Sequence, residues 1–97
     1  MSRLVWSLGS LEDLQAIHDE ISRHSIAYAD LVLARLVSAP ERLVTFPESG
    51  RMVPEFRLPN LRELIVRPYR IVYRLRGDVV EVVTVFHSAR LLPALHS

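Results

Sequence analysis

RELIVRPYRIVYRLRGDVVEVVTVFH, residues 62–87, is rich in β-branched and aromatic residues and is punctuated twice. Arg67-Pro68 separates Arg62–Val66 from Tyr69–Leu75, and Gly77-Asp78 separates the latter from Val79–Phe86. Branched and ring side chains fit a pleated, half-buried surface, and Gly-Asp suits a two-residue hairpin turn. The stretch therefore predicts a three-stranded antiparallel meander. Strict alternation places Tyr69, Ile71, Tyr73 and Leu75 on one side of the middle strand and Arg70, Val72, Arg74 and Arg76 on the other. In the last strand Val80, Val82, Thr84 and Phe86 oppose Glu81, Val83, Val85 and His87. The simplest assignment packs the Ile71 and Phe86 faces inward, so Arg70, Arg74 and His87 share an open face. A slip of one residue would reverse that assignment.

Towards the N-terminus the period changes. Leu11, Leu14, Ile17 and Ile21 recur at spacings of 3, 3 and 4, which predicts a helix from Leu11 to Arg23. Ser10 is its expected cap, with Asp13 three residues on completing a capping box. Ser25 is placed to cap a second helix from Ile26 to Val37. Its apolar residues run almost all the way round, as expected of a helix buried between layers or covered by another chain. Pro40 lacks an N–H for the carbonyl of Leu36 and should interrupt it. Ser38 and Glu41 would then open a short restarted turn through Leu43. Leu4-Val5-Trp6 suggests a first strand, with Trp6 in the core, and Met52–Phe56 suggests a short edge strand, where Pro54 is tolerated. The expected fold class is α+β in the order β-α-α-β-β-β: an N-terminal helical hairpin on one face of an antiparallel sheet.

The length of 97 residues predicts one domain spanning 1–97. Cysteine is absent, which removes disulfides, thiolate zinc sites and a cysteine nucleophile together. His18 and His24 are six apart, a poor spacing for a metal pair, so neither metal nor cofactor is expected. No signal peptide or membrane span is evident in the sequence, and a cytoplasmic location is expected. The net charge of +1 conceals an asymmetry. Residues 1–50 carry four arginines against seven acids, whereas residues 51–97 carry eight against four. All 12 basic residues are arginine, suited to contacts with carboxylate or phosphate and unable to act as a lysine base. Arg62, Arg70 and Arg74 have an alternative use, bridging Glu55, Glu63 or Glu81 across strands.

Three pieces, FPESGRMVPE at 46–55, RELIVRPYRIVYR at 62–74 and VFHSARLLP at 85–93, resemble the ParE branch of the RelE/ParE toxin superfamily. They occur in family order, and the N-terminal strand and helical hairpin match as well. The resemblance implies the toxin of a type II toxin–antitoxin system, or plasmid stabilisation protein. Such a toxin arrests growth until a cognate antitoxin wraps over it, and the pair can build a complex of higher order. ParE-like members act on DNA gyrase, and RelE-like members cleave messenger RNA on the ribosome. A ribonuclease needs groups to take and give a proton and cations for the developing charge. By resemblance those candidates are Arg70, His87 and Arg90. The lysines and C-terminal tyrosine that several ribonuclease members use are missing. Gyrase inhibition without chemistry is therefore the first expectation, with messenger cleavage, or a non-toxic member acting only as a binding partner, as alternatives. The surface expected to meet target or antitoxin comprises Arg62, Arg70, Arg74, His87, Arg90, Leu91 and Leu92.

Overall fold

The computed structural model describes residues 1–89. Its elements are β1 (Arg3–Trp6), α1 (Leu8–Ser22), α2 (Ile26–Ser38), a 3-10 turn (Ala39–Val44), β2 (Arg51–Met52), β3 (Leu61–Val66), β4 (Tyr69–Arg76) and β5 (Val79–His87). The sheet runs β1-β5-β4-β3-β2. Three of its pairings are antiparallel, but β1 lies parallel to β5, with Leu4 opposite Val80 and Trp6 opposite Val82. The α+β class holds, and the sheet is mixed rather than wholly antiparallel. The chain's first strand docks on its last, which no local pattern encodes.

The helices pack on one face of the sheet. Leu14, Val32, Leu36 and Leu43 meet Leu64, Ile71, Tyr73, Val80, Val82 and Val85 in the main core. Trp6 packs against this core from β1, as expected. On the other face, Val53, Leu61, Val72 and Phe86 form a second, smaller cluster.

Several local expectations are corrected. Helix α1 begins three residues earlier than the apolar spacing suggested, because Ser7 rather than Ser10 is its cap. The Ser7 hydroxyl accepts the Ser10 N–H at 3.0 Å, satisfying one of the free donors of the first turn. Ser10 is instead buried, and its hydroxyl donates to the Ser7 carbonyl. Asp13 closes no capping box; its carboxylate reaches β5. Ser25 caps α2 as expected, accepting from the Tyr28 N–H. Pro40 does end the regular helix and is buried in the 3-10 turn that follows. Ser38 does not cap that turn; its hydroxyl donates back to Arg35. Met52–Phe56 is a strand only at its start, and the chain then turns away so that Val53 is fully buried beneath it.

Helix α2 is not enclosed. Ala29, Val32 and Leu36 are buried, whereas Ile26 and Leu31 remain 67% and 56% exposed. Its outer apolar residues are thus left uncovered among the described residues.

Candidate functional site

The pleat of β4 follows the alternation read from its sequence: Ile71 and Tyr73 face the helices, and Arg70 and Val72 face away. The last strand does not. Tyr73 pairs with Val82 and Val72 with Thr84, so Val83 is an extra residue, a β-bulge. Before the bulge Val80 and Val82 face the helices as expected. Beyond it the parity is inverted: Val85 joins the helix-side core, and Phe86 joins the cluster on the other face. Because the side-chain period of a strand is two, one inserted residue exchanges the faces of everything after it.

Helix α1 pins the bulge. The Ser7 N–H donates to Val82 and its hydroxyl to the Val83 carbonyl. One oxygen of Asp13, Oδ2, accepts from the Thr84 hydroxyl at 2.7 Å and from the Val85 N–H at 3.0 Å. Replacing Asp13 with alanine removes the partner of a displaced backbone N–H. A stability loss of about 1–3 kcal/mol is expected. Chemical denaturation measures it, and the backbone amide of Val85 should lose hydrogen-exchange protection first.

The inversion separates two residues expected to share a face. Arg70 pairs across the strands with Phe86, and its guanidinium carbon lies 5.0 Å from the Phe86 ring centroid, a cation–π contact. His87 pairs instead with Tyr69, edge-on at 5.7 Å between ring centroids. It lines a cleft of about 310 Å³ between α1 and the ends of β4 and β5, with Asp13, Ile17, Glu20 and Tyr69. Its Nδ1 accepts from the Ala89 N–H at 3.1 Å. Placing His87 beside Arg70 on the open face is therefore incorrect, and the bulge is the reason.

Arg70 is 8% exposed and heavily engaged. Its Nε donates to Glu63 Oε1 at 2.6 Å. Its Nη1 and Nη2 donate to the two oxygens of Glu55 at 2.8 and 2.7 Å, a bidentate fork. The second oxygen of the fully buried Glu63 side chain takes the Nε of Arg51. Two arginines and two carboxylates thus neutralise one another on the open face. The hydrogen bonds that Arg70 donates to Glu55, opposed by burial and reinforced by Glu63, raise its pKa above the ordinary arginine range. The Arg70 hydrogen bonds in turn lower the pKa of Glu55 below its ordinary 4.5. A carboxyl held lower in the folded than in the unfolded chain stabilises the fold above the unfolded pKa. That stability is lost as pH falls through the folded value. An acid titration of the unfolding midpoint should accordingly decline below about pH 4.5, and Glu55→Gln should flatten that limb.

Among the described residues Arg62 does not form the cross-strand ion pair that was its alternative use. Its Nη1 donates to the carbonyls of Gly50 and Glu48, and its Nε to that of Pro59, so it ties together two loops. Arg74 faces Glu81 in the strand register, but Arg76 forms the ion pair with Glu81, at 2.6 Å. Among the described residues Arg74 makes no ion pair within 4.0 Å. Arg90, Leu91 and Leu92 lie outside the described residues.

The FPESG turn is anchored from below. The Tyr73 hydroxyl donates to the Pro47 carbonyl at 2.8 Å and accepts the Gly50 N–H at 3.0 Å. Burial raises the Tyr73 pKa, so the phenol stays neutral and able to do both. Sequence reading missed Asp13, Glu55 and Tyr73 as organising residues. Only Glu55 left a signal, as an acid within reach of an arginine-rich strand.

Among the described residues, no helix is long and apolar enough to cross a membrane, and no three acids, histidines or cysteines cluster as a metal site.

Comparison with known proteins places the chain. Toxin RelE2 of Caulobacter vibrioides is 38% identical over 92 residues, spanning 94% of this chain and 100% of that protein. Toxin ParE3 of the same bacterium is 30% identical over 95 residues, 97% of this chain and 94% of that protein. Among solved structures, a chain from the chromosomal ParDE toxin–antitoxin system of P. aeruginosa superposes with a TM-score of 0.76 at 22% identity. It covers 90% of this chain and 96% of its own length, which supports the shared fold. A family profile for the ParE toxin of type II toxin–antitoxin systems matches residues 4–92. The chain belongs to that family, the ParE toxins, whose members are paired with an antitoxin.

Proposed function

We propose that this toxin arrests growth in the cytoplasm by binding DNA gyrase, without chemistry of its own, and that its cognate antitoxin blocks the same surface. The observation that carries this reading is the state of Arg70. Its fork and its Nε are held by Glu55 and Glu63. His87 stands across the sheet from it, beside Tyr69. Messenger cleavage would require a cation and an acid–base group converging on one phosphate. A binding toxin requires only a surface. Arg74, with no ion pair among the described residues, and Arg62 at the loop junction are its candidate cations. Arg90, Leu91 and Leu92 are proposed to extend it.

His87→Ala separates the two activities. His87 is exposed, so its removal should leave the fold intact. When induced without antitoxin, the variant should still arrest growth as the parent does. A folded His87→Ala protein that no longer arrests growth, with intact messenger where the parent cuts it, would instead support the ribosome-dependent ribonuclease. Absence of any growth defect from the parent itself would leave only a non-toxic binding partner.

A further inference from the structure

We propose that Glu55 is an internal latch: its carboxylate occupies an anion-binding fork on Arg70 and keeps that fork closed to phosphate groups. The geometry is that of a bound ligand. Both Glu55 oxygens accept from the two terminal nitrogens of one guanidinium, at 2.7 and 2.8 Å. Planar, bidentate donation of this kind suits a carboxylate and two oxygens of a phosphate equally well.

The remaining contacts hold Arg70 in place without Glu55. Glu63 fixes the Nε from below, and the Phe86 ring lies against the guanidinium carbon. Arg51 neutralises the other Glu63 oxygen. Removing the Glu55 carboxylate would thus leave a preorganised fork with one uncompensated positive charge. That is the arrangement that gains most from an external anion, because little ordering remains to be done.

The latch sits on an exposed turn above a nearly buried arginine. Arg70 is nearly buried, whereas the Glu55 side chain is 36% exposed. Glu55 belongs to a turn between Val53 and Arg57, closed by the N–H groups of Phe56 and Arg57 donating to the Val53 carbonyl. Arg57 holds φ at +52°, in the left-handed region that a side chain disfavours. Val53, fully buried, anchors one end, while residues 54–60 are exposed. The turn is therefore fixed at one point and strained at another, with the latch between them. The inference does not rest on gyrase binding: it concerns the access of any phosphate to Arg70, and its test needs no target protein.

The test is a titration of inorganic phosphate into wild type, Glu55→Ala and Glu55→Gln at neutral pH and constant ionic strength. Binding is followed by NMR through the Nε–H resonance of Arg70. Glu55→Ala should bind phosphate at least about tenfold more tightly than wild type, with the Arg70 resonance moving along the titration. Glu55→Gln keeps the shape of the turn without its charge and should fall between them. It also serves as the reporter if the alanine variant does not fold. Equal affinities across the three proteins would overturn the latch. So would tighter binding that leaves the Arg70 resonance still, since the phosphate would then sit elsewhere.

Discussion

Replacing Arg70 with methionine should destabilise the fold by about 3–5 kcal/mol, the cost of leaving a buried carboxylate without its partner. Glu63 is 1% exposed and loses the Nε donor that lies 2.6 Å away. Arg51 reaches only its other oxygen, from a largely exposed side chain. A domain of this size is stable by about 5–15 kcal/mol in total, so the loss is a large part of the whole. Urea unfolding measures it directly. The double variant Arg70→Met/Glu63→Leu removes the buried charge with its partner and should recover most of the loss, since the penalty lies in the orphaned carboxylate. A single variant with an unchanged midpoint would mean that Glu63 is not held by Arg70. The result also bears on how toxicity is read. Loss of growth arrest on removing Arg70 reports a damaged fold unless folding is measured alongside, so His87 and Arg74 are the cleaner positions for functional tests.

Gly50→Ala should be the next most damaging change examined by single substitution. A Cβ at this position would stand 2.6 Å from the Glu63 carbonyl oxygen and 2.5 Å from the Tyr73 hydroxyl. The carbonyl belongs to a strand and cannot turn aside, and the hydroxyl is held by Pro47 and Gly50 themselves. Overpacking of this kind costs about 1–3 kcal/mol, and more where backbone must move. The loss should appear as a lowered thermal midpoint. Gly77 gives the contrast. It holds φ at +55° in the β4–β5 turn, with nothing within 4 Å of an added Cβ. Asparagine tolerates that backbone region, so Gly77→Asn should cost less than Gly50→Ala. The reverse order would mean that the neighbours of Gly50 give way easily and that the positive φ of Gly77 is the tighter constraint.

Local chemistry made most of the architecture legible. The β-branched runs around Arg67-Pro68 and Gly77-Asp78 became β3, β4 and β5, and the apolar spacing of Leu14, Ile17 and Ile21 became the inner face of α1. The FPESG, strand and VFH pieces also pointed to the family that the wider comparison identifies. What escaped is non-local. Val82, Val83, Thr84 and Val85 are nearly interchangeable as strand formers, and nothing in their order marks the extra residue. The bulge becomes intelligible only with Asp13 and Ser7 in place, more than seventy residues away in the chain. The parallel docking of β1 on β5 is likewise a tertiary choice.

The candidate site changed for the same reason. Pure alternation put Arg70 and His87 together, and the bulge sends them to opposite faces. The cross-strand alternative foreseen for Arg70 is the one realised, through Glu55 and Glu63. For Arg62 it is not, because backbone carbonyls take its donors. Sequence separation hides such loop carbonyls from any reading by residue type.

The most direct measurement is gyrase-catalysed DNA supercoiling with the purified toxin added in increasing amounts, run beside translation of a messenger by purified ribosomes. Progressive loss of supercoiling, or accumulation of gyrase-cleaved DNA, is expected, with the messenger left whole. Added antitoxin should restore supercoiling. Full supercoiling at every toxin concentration, accompanied by cut messenger on the ribosome, would contradict it.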